Sequence, residues 1–555
     1  MIAPRRVLLF LMLAYVWPSS FVSAAVEPTP SFERDIKPIL ERRCTVCHNE
    51  KKRGDEEVSG GLVLDRFEAV MAGTSNGKVV VPGDAEKSEL IERLETDDVD
   101  LRMPMLEKPL TEPQRLLIRR WVEAGAPRGE TSSTPLTTSM PSPSPSARRV
   151  VRTLDVVLST DRKIPPKLEG LGPGGPLQLA LKVGPMPAVN AVAFRGDGQH
   201  LAVGTHGQVL LWDLESARPT LTLDQIPGPI HALVFNQAGT QLAVGSGLPA
   251  RTGLVRVYSI PDGKLLHDLQ GHDDLVFGLA FKPDGTQLAS ASFDQKVKLW
   301  DLPSGKLAGT FEGHSDFVYE VAYLPDGQSL LTAGKDRTIK LIDLKTLKEK
   351  QTYSNHQEDV MAIGVAPDGK RFVSAGLEPQ LRWWNYKESK PENRMGGHGG
   401  PVHQLAFSGD GKTLISAGGD SSVRVWDGAN GKLLRTLAGS TEWQFTAAIS
   451  RDGKRAAGGG WDGIARVWDV ESGKLLATLI QPTSLSAGES NWLIMSPGGY
   501  LQVSESLAPL LHWRIGGVEV PSEQPRALFE NPKNLIEELH GKPAAEPEYT
   551  RAGSP

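Results

Sequence analysis

The feature that most constrains the fold is an internal repeat of 42 residues. Seven equivalent positions carry an aromatic or large apolar residue, separated by one step of 46 residues and then by five steps of 42. These positions are Trp212, Tyr258, Trp300, Ile342, Trp384, Trp426 and Trp468. Trp-Asp at the end of a strand, in a repeat of this length, predicts the four-stranded blades of a β-propeller.

Other residues recur in the same phase. Gly-His pairs stand at 271–272, 313–314 and 397–398, and Asp-Gly turns separate strand-like runs. Hydroxyl and acidic positions also keep the repeat; they are Ser290, Thr332, Ser374 and Ser416, and Asp294, Asp336, Asp420 and Asp462. In residues 275–281 bulky side chains alternate with small ones, which predicts a strand packed between two stacked sheets.

These features resemble the WD40 family over residues 177–480. The resemblance implies that a histidine, a hydroxyl, an aspartate and a tryptophan of one blade form a hydrogen-bonded tetrad, which is structural rather than catalytic. The two expected tetrads are His272, Ser290, Asp294 and Trp300, and His398, Ser416, Asp420 and Trp426. Two blades depart from the pattern, with Glu378 in place of the aspartate and Gly458 in place of the hydroxyl.

The number of blades depends on the segments that flank the repeat. Residues 491–503 and 510–513 look like a degraded repeat, and residues 177–183 look like an outer strand before the first blade. We predict an all-β propeller over residues 171–518 with an eighth blade, made of three C-terminal strands and this N-terminal strand. This arrangement closes the ring and leaves no strand unpaired. Seven blades, with both segments as additions, is the alternative.

A second informative feature lies near the N-terminus. Cys44-Thr45-Val46-Cys47-His48 contains the only two cysteines of the chain. Covalent haem attachment requires two thiols, each adding to one vinyl group, and a histidine that ligates the iron. A thioredoxin-like dithiol or a disulfide is the alternative, but the βαβ pattern that would accompany the dithiol is not visible. We therefore predict one covalent haem c, bound by Cys44, Cys47 and His48.

Residues 31–127 have helical periodicity around this motif. The apolar positions that share helical faces are Phe32, Ile36, Ile39 and Leu40, then Leu90, Ile91 and Leu94, then Leu117 and Trp121. Asp84 is predicted to cap the second helix, Thr111 to open a capping box at the third, and Gly125 to end it. The N-terminal and C-terminal helices would then pack together around a porphyrin, as in an all-α class I cytochrome c.

A methionine between the second and third helices is the candidate for the sixth iron ligand. Met103 and Met105 both lie in Arg102-Met103-Pro104-Met105. A thioether ligand opposite His48 would raise the reduction potential. Simple packing of these side chains is the other interpretation. Position favours Met103 as the distal ligand, with Met105 as its rival.

This segment resembles the planctomycete-type cytochrome c domain over about residues 31–127. The resemblance rests on residues 35–40, the haem motif, and residues 82–90, 102–104 and 120–126. It implies a covalently bound haem c and an exported electron-transfer module. It carries over Cys44, Cys47 and His48 directly, and Met103 through the Met-Pro dipeptide.

The flanking segments indicate where the protein acts. Residues 1–24 have the positive, apolar and small-residue parts of a signal peptide, which predicts a periplasmic or secreted protein; a retained N-terminal anchor is the alternative. No other segment is apolar enough to span a bilayer. Residues 128–170 read as a Ser/Thr/Pro-rich linker, and residues 519–555 as a polar tail with one short helix near Leu535. The formal charge of −5 argues against a nucleic-acid partner.

Together, these features predict an exported cytochrome that transfers single electrons. Its propeller would dock a redox partner and other proteins. A peroxidase-like haem enzyme is an alternative, but His48 is the only histidine of the haem segment, so a distal histidine would have to come from elsewhere. A scaffold whose haem domain is mainly structural is another. A catalytic propeller is a third, although no cluster of ligands repeats beyond the tetrad residues.

Overall fold

The computed structural model describes residues 30–32, 36–37, 39–40, 48, 62–74, 77–96, 112–128, 154–159, 177–183, 186–482, 490–515 and 518–542. The chain divides into two compact units, Met1–Ala147 and Arg148–Pro555. Among the described residues, no helix is long and apolar enough to cross a bilayer.

Three helices of the first unit have described bounds, α1 (Phe67–Ala72), α2 (Glu89–Glu95) and α3 (Glu112–Glu123), and residues 37, 39 and 40 are also helical. Helix α3 ends where the sequence predicts. Gly125 has a φ of +89°, in the left-handed region that favours glycine, and its N–H donates to the carbonyl of Val122 at 3.0 Å. Thr111, the predicted start of its capping box, lies outside the described residues.

One apolar core joins the beginning and the end of this unit. The Phe32 N–H donates to the carbonyl of Pro127 at 2.9 Å, and the Phe32 ring lies 5.8 Å from the ring of Trp121. Trp121 is fully buried, and its Nε1 donates to the same carbonyl at 3.0 Å. Ile36 and Leu40 belong to this core as well. The predicted packing of the first apolar segment on the third helix is confirmed.

The predicted capping role of Asp84 is wrong. Ser88 occupies the position before α2, while Asp84 Oδ1 accepts the N–H of Lys87 at 3.2 Å. The Ser88 hydroxyl donates to the Asp84 carbonyl at 2.8 Å and accepts the N–H of Val81 at 2.9 Å. Asp84 therefore stabilises the turn that precedes the helix, and the helix begins one turn later than expected. The inward-facing residues of α2 are buried as predicted; they are Leu90, Ile91 and Leu94.

The described strands of the second unit form eight antiparallel sheets. The first two strands are β1 (Leu154–Ser159) and β2 (Leu177–Val183). We number the next seven groups of four strands as blades one to seven. Blades one to three contain β3 (Ala191–Phe194), β4 (His200–Gly204), β5 (Val209–Asp213) and β6 (Arg218–Leu223); β7 (Ala232–Phe235), β8 (Gln241–Leu248), β9 (Thr252–Ser259) and β10 (Leu265–His272); and β11 (Val276–Phe281), β12 (Gln287–Ser292), β13 (Val297–Asp301) and β14 (Lys306–Phe311).

Blades four to seven continue the same pattern. They contain β15 (Val318–Tyr323), β16 (Ser329–Gly334), β17 (Ile339–Asp343) and β18 (Lys348–Tyr353); β19 (Val360–Val365), β20 (Arg371–Gly376), β21 (Leu381–Asn385) and β22 (Asn393–Met395); β23 (Val402–Phe407), β24 (Thr413–Gly418), β25 (Val423–Asp427) and β26 (Leu433–Leu437); and β27 (Gln444–Ile449), β28 (Arg455–Gly460), β29 (Ile464–Asp469) and β30 (Leu475–Ile480).

Four more strands and two more helices follow blade seven. They are β31 (Leu493–Met495), β32 (Leu501–Val503), β33 (Leu511–Ile515) and β34 (Val518–Val520), then α4 (Glu523–Phe529) and α5 (Pro532–Leu539). A short 3₁₀ turn, Ala508–Leu510, precedes β33.

The alternation of bulky and small residues in β11 has the predicted consequence. A side-chain carbon on Gly278 would lie 2.9 Å from the Tyr319 carbonyl oxygen and 3.0 Å from the Glu320 Cα of the next blade. Only a glycine fits at this distance, because the two inner strands almost touch there. The small position therefore sets the spacing between blades three and four.

The ring closes between blade seven and blade one. In six blades the glycine of the turn between the first two strands packs against the corresponding turn of the preceding blade. The pairs are Gly239 with Arg195, Gly327 with Lys282, Gly369 with Pro325, Gly411 with Pro367, Gly453 with Ser408, and Gly198 with Ser450. The last pair joins blade one directly to blade seven. Hydrogen bonds cross the same boundary from Val189 N–H to the Gly460 carbonyl and from Val192 N–H to Thr446 Oγ1, each at 3.0 Å, and from Arg455 Nη1 to the Gly198 carbonyl at 3.3 Å.

The prediction of an eighth blade in the ring is therefore wrong. The described strands form a ring of seven blades, which was the alternative. The predicted pairing of the N-terminal strand with the C-terminal segment is nevertheless confirmed. Strand β2 pairs with β33, with Leu177 opposite Ile515, in a separate sheet of order β1-β2-β33-β34. The other two flanking strands, β31 and β32, extend blade seven into a six-stranded sheet.

The segments outside the repeat share one apolar core with blades one and seven. This core includes Leu179 and Leu181 of β2, Trp513 of β33, and Leu535 of α5. Residues 519–555, which were expected to be a polar tail, thus contribute two helices with buried side chains. Their apolar residues pack against the outer strands of blade seven. Strand β1, likewise, lies within the segment expected to be a linker, where it pairs with β2.

Candidate functional site

Most of the predicted haem ligands fall outside the described residues. These are Cys44, Cys47, Met103 and Met105, whose roles stay predictions. His48 is described: it is half-buried, and its carbonyl oxygen accepts the N–H of Leu64 at 2.8 Å. Leu64 is 2% exposed and belongs to the apolar core of the first unit. The backbone of the predicted proximal ligand is thus hydrogen-bonded to that core.

The core next to His48 suits a porphyrin. Among the described residues between 30 and 128, every buried side chain is apolar except that of Ser88. Met71 is half-buried and packs against the same core. Apolar surroundings of this kind favour burial of the haem ring and limit the access of water to the iron. These residues therefore fit the group that the Cys-x-x-Cys-His motif predicts.

The two predicted tetrads form in blades three and six. In blade three, His272 Nδ1 lies 2.7 Å from Asp294 Oδ2, and His272 Nε2 lies 2.7 Å from the Ser290 hydroxyl. Trp300 Nε1 donates to the same hydroxyl at 2.8 Å. In blade six the corresponding distances are 2.8, 2.6 and 2.8 Å. Each tetrad ties the loop before the inner strand to the second and third strands of its blade.

Blade five has a third complete tetrad that the sequence analysis missed. His356 Nδ1 lies 3.0 Å from Glu378 Oε2, and His356 Nε2 lies 2.7 Å from the Ser374 hydroxyl, which also accepts Trp384 Nε1 at 2.7 Å. His356 follows Asn355 rather than glycine, so a search for Gly-His overlooks it. Its spacing of 42 residues from His314 and from His398 would have identified it. The longer Glu378 side chain thus replaces aspartate without loss of the network.

Blades four and seven carry incomplete networks. In blade four, His314 contacts Asp336 and Thr332, but Ile342 stands where the tryptophan would donate. In blade seven, Trp468 Nε1 donates instead to the Ala438 carbonyl at 2.8 Å. Among the described residues, no three His, Cys, Asp or Glu side chains form a group that could hold a metal ion.

The acidic members of the tetrads are ionised. Burial by itself would raise the pKa of the Asp336 carboxyl, but hydrogen bonds from His314, Thr338 and the Ser315 amide lower it to about 2. The pKa of Asp294 is also lowered, because the hydrogen bond and charge interaction with His272 outweigh the effect of its burial. Since an ionised carboxylate only accepts, the histidine Nδ1 carries the proton and Nε2 accepts from the hydroxyl. This polarity is also that of a Ser-His-Asp catalytic triad, but the Ser290 and Ser416 hydroxyls are fully buried and each accepts a tryptophan N–H, so the tetrads are structural networks.

Comparisons with known proteins match both parts of the chain. A family model described as planctomycete cytochrome C matches residues 44–105. A model described as WD domain, G-beta repeat, matches six segments, 181–213, 263–301, 305–343, 347–385, 389–427 and 431–469. The chain is a planctomycete-type cytochrome c domain fused to a WD40 propeller.

Curated relatives are similar to a fifth of this chain or less. Periodic tryptophan protein 2 of Saccharomyces cerevisiae is 34% identical over 112 residues, which is 20% of this chain and 12% of that protein. WD repeat-containing protein SL1-17 of Schistosoma mansoni is 32% identical over 92 residues, 17% of this chain and 29% of that protein. The Xenopus tropicalis intraflagellar transport protein 122 homolog is 38% identical over 74 residues, 13% and 6% of the two chains. The matched part thus spans less than a third of each relative.

Proposed function

We propose that this protein is an exported c-type cytochrome that transfers single electrons through one covalent haem, while its propeller docks the redox partner. The observation that carries the proposal is the Cys44-Thr45-Val46-Cys47-His48 motif, which lies at the start of the matched cytochrome segment and uses the only cysteines of the chain. The apolar core hydrogen-bonded to His48 supports it.

The residues would divide the work as follows. The Cys44 and Cys47 thiols tether the porphyrin, and His48 gives one imidazole nitrogen to the iron. The hydrogen bond between the His48 carbonyl and the Leu64 amide restrains the backbone of this ligand. Met103, with Met105 as its rival, would supply a thioether to the iron. When bound, haem c supplies a reversible one-electron couple between ferric and ferrous iron.

The propeller supplies no redox group in this proposal. Its rigid ring presents loops, as WD40 propellers do in protein interactions, and brings a partner's redox centre near the haem edge. Because attachment of haem to two thiols and the signal-like residues 1–24 both point to export, we propose that the protein acts in the periplasm or outside the cell.

Covalent attachment is tested by purifying the protein from a host with cytochrome c maturation and extracting it with acidic acetone. We expect the haem absorbance to stay with the polypeptide, because thioether bonds survive this solvent. A variant with both Cys44→Ser and Cys47→Ser should lose stable haem yet keep the propeller, since the two units have separate cores. Haem that leaves the unaltered protein with the solvent would refute the proposal.

The distal ligand is tested by replacing Met103 and Met105 separately with alanine. We expect Met103→Ala alone to remove the ferric near-infrared band that reports sulfur ligation and to lower the reduction potential, because the thioether favours ferrous iron. Loss of the band only with Met105→Ala would move the ligand by two residues. The presence of this band in the unaltered protein would argue against the peroxidase-like alternative, which needs an open iron site.

A further inference from the structure

The repeat places aromatic rings on one face of the propeller. The rings stand at two positions of a blade. One is the second residue of the inner strand, such as Phe277, and the other is the residue just before the tetrad acid, such as Phe293. The two rings stack at 4.4 Å in blade three. Both positions adjoin the turn that carries Asp294, so rings at these positions share the face of the tetrad acids.

Four rings form a continuous row across blades two to four: Phe277 and Phe293 occupy the two positions in blade three, and His231 and Phe317 stand just before the inner strands β7 and β15. The ring centroids of His231 and Phe277 lie 4.2 Å apart, those of Phe277 and Phe293 lie 4.4 Å apart, and those of Phe293 and Phe317 lie 4.3 Å apart. The planes within each pair differ by 17° or less. Burial lowers the pKa of His231 to about 4, so its ring is neutral in the row. We call these four residues the aromatic row.

The exposed surface of the aromatic row is a strip of ring edges. All four side chains are half-buried, and the inner ring faces are covered by their neighbours. The outer face of Phe317 is covered by Lys335, whose Nζ lies 4.7 Å from the ring centroid. The row therefore offers a narrow apolar platform on which a cationic side chain can lay its aliphatic stem.

A second group of rings lies on the same face in blades six and seven. Trp461 is 65% exposed and touches Phe445 edge to face at 6.0 Å. Phe445 in turn meets His403 at 5.5 Å. The rest of the Trp461 ring is open to solvent, and an open indole face attracts a cation more strongly than other aromatic rings do. Exposed tryptophans of this kind are typical of interaction sites.

Exposed carboxylates stand before three of the inner strands, β11, β19 and β27. Asp273, Glu358 and Glu442 are exposed in loops that lead into inner strands on this face, and within the described residues none has an ion pair. The lysines nearby are already engaged, Lys296 with Glu312 at 3.2 Å and Lys335 with the Phe317 ring. Arg337 is also exposed beside Asp336, and its Nη1 donates to the Gln357 carbonyl, next to Glu358, at 3.5 Å. The face thus combines apolar strips with exposed carboxylates that have no ion pair among the described residues.

We infer that this face binds an extended, arginine- or lysine-rich segment of the partner protein, whose cationic groups meet Trp461 and the acidic loops while their stems pack on the aromatic row. The inference rests on the docking role proposed for the propeller and adds the place and the chemistry of the partner. The acidic loops would guide such a segment to the face, and raised salt would weaken the complex.

The test uses the full-length haem protein and three synthetic peptides, one arginine-rich, one with citrulline in place of each arginine, and one with glutamate. Binding is followed by calorimetry and by tryptophan fluorescence. We expect the arginine peptide to bind, and the citrulline peptide to bind at least about tenfold more weakly, because only the charge is removed. Equal binding of these two peptides, or preference for the glutamate peptide, would overturn the inference.

Variants locate the site. Trp461→Ala and Phe293→Ala should each weaken binding of the arginine peptide about tenfold. The paired change Glu358→Gln with Glu442→Gln should do so without altering any ring. Leu307→Ala is the matched control, because Leu307 is 49% exposed on the outer strand β14 and should leave affinity unchanged. Unchanged affinity in Trp461→Ala and in the Glu358/Glu442 pair would refute the assignment.

The same preparation separates this inference from the proposed function. Covalent haem with no binding of the arginine peptide would overturn only the docking chemistry. Binding that depends on Trp461 in a protein without covalent haem would overturn only the electron-transfer proposal.

Discussion

Removing the hydroxyl group that contacts the histidine should lower the stability of blade six more than that of blade four. The Ser416 hydroxyl has two buried partners, His398 Nε2 at 2.6 Å and Trp426 Nε1 at 2.8 Å. The Thr332 hydroxyl has one such partner, His314 Nε2 at 2.7 Å, since Ile342 replaces the tryptophan. Both hydroxyl residues are fully buried. Ser416→Ala and Thr332→Val therefore delete the same group from sites that differ by one donor.

The expected magnitudes follow from the partners left behind. A buried polar atom without a hydrogen bond costs about 1–3 kcal/mol. Ser416→Ala leaves two such atoms, at a cost of about 2–6 kcal/mol, and Thr332→Val leaves one, at about 1–3 kcal/mol. The difference of about 1–3 kcal/mol corresponds to an increase in opening that is about 5- to 150-fold greater in blade six, since each 1.4 kcal/mol changes an equilibrium about tenfold.

Native-state hydrogen exchange measures this opening strand by strand. We expect the amides of β24 and β25 to lose more protection in Ser416→Ala than those of β16 and β17 lose in Thr332→Val. Denaturation of the whole chain is less suitable, because the separate units need not unfold in one step. Equal losses in the two blades, or the greater loss in blade four, would show that the tryptophan N–H does not depend on the hydroxyl.

Three further predictions concern the inner strands, the closing sheet and acid stability. Burial raises the pKa of Glu320 from 4.5 to about 8, so the free energy of unfolding should fall as pH rises between these values, and Glu320→Gln should remove this slope in urea titrations. Deleting residues 171–184 should lower exchange protection in β33 and β34 more than in blades three to five; equal protection everywhere would contradict the observed pairing. The pKa of Asp336 is lowered from 3.8 to about 2, so its contribution is full above pH 4 and lost as pH falls toward 2. Asp336→Asn should therefore destabilise the protein near neutral pH and make little difference near pH 2, as measured by urea midpoints.

The sequence predicts the tetrad contacts of the propeller well, because residue type and repeat spacing both point to them. Ser290 and Asp294 can be assigned to one network because their phase is fixed by the repeat and their hydrogen-bonding groups are complementary. The blade count could not be predicted in the same way. Residues 493–495 have the pattern of a strand, but nothing local shows that they pair with Leu479 and Ile480 of blade seven rather than start a new blade.

The first unit shows the same limit on a smaller scale. Asp84 precedes a helix, as a cap would, but its carboxylate is satisfied by the amide of Lys87 within a turn. The sequence alone cannot distinguish a helix cap from a turn of this kind, because both place an aspartate shortly before apolar helical residues. Trp121 is easier, since a large apolar residue at helical spacing has few alternatives to burial. The roles of Cys44, Cys47 and Met103 rest on the motif and stay predictions.

The pairing of β2 with β33 affects how the protein is synthesised. During synthesis, all seven blades can leave the ribosome before residues 511–515 are made. Until then, the edge of β2 that pairs with β33 has no partner, and Leu179 and Leu181 are uncovered. An unpaired apolar strand readily recruits strands of other nascent chains. A messenger truncated between blade seven and β33 would therefore yield an aggregating product rather than a smaller soluble one, and β2 would be accessible to quality-control proteases.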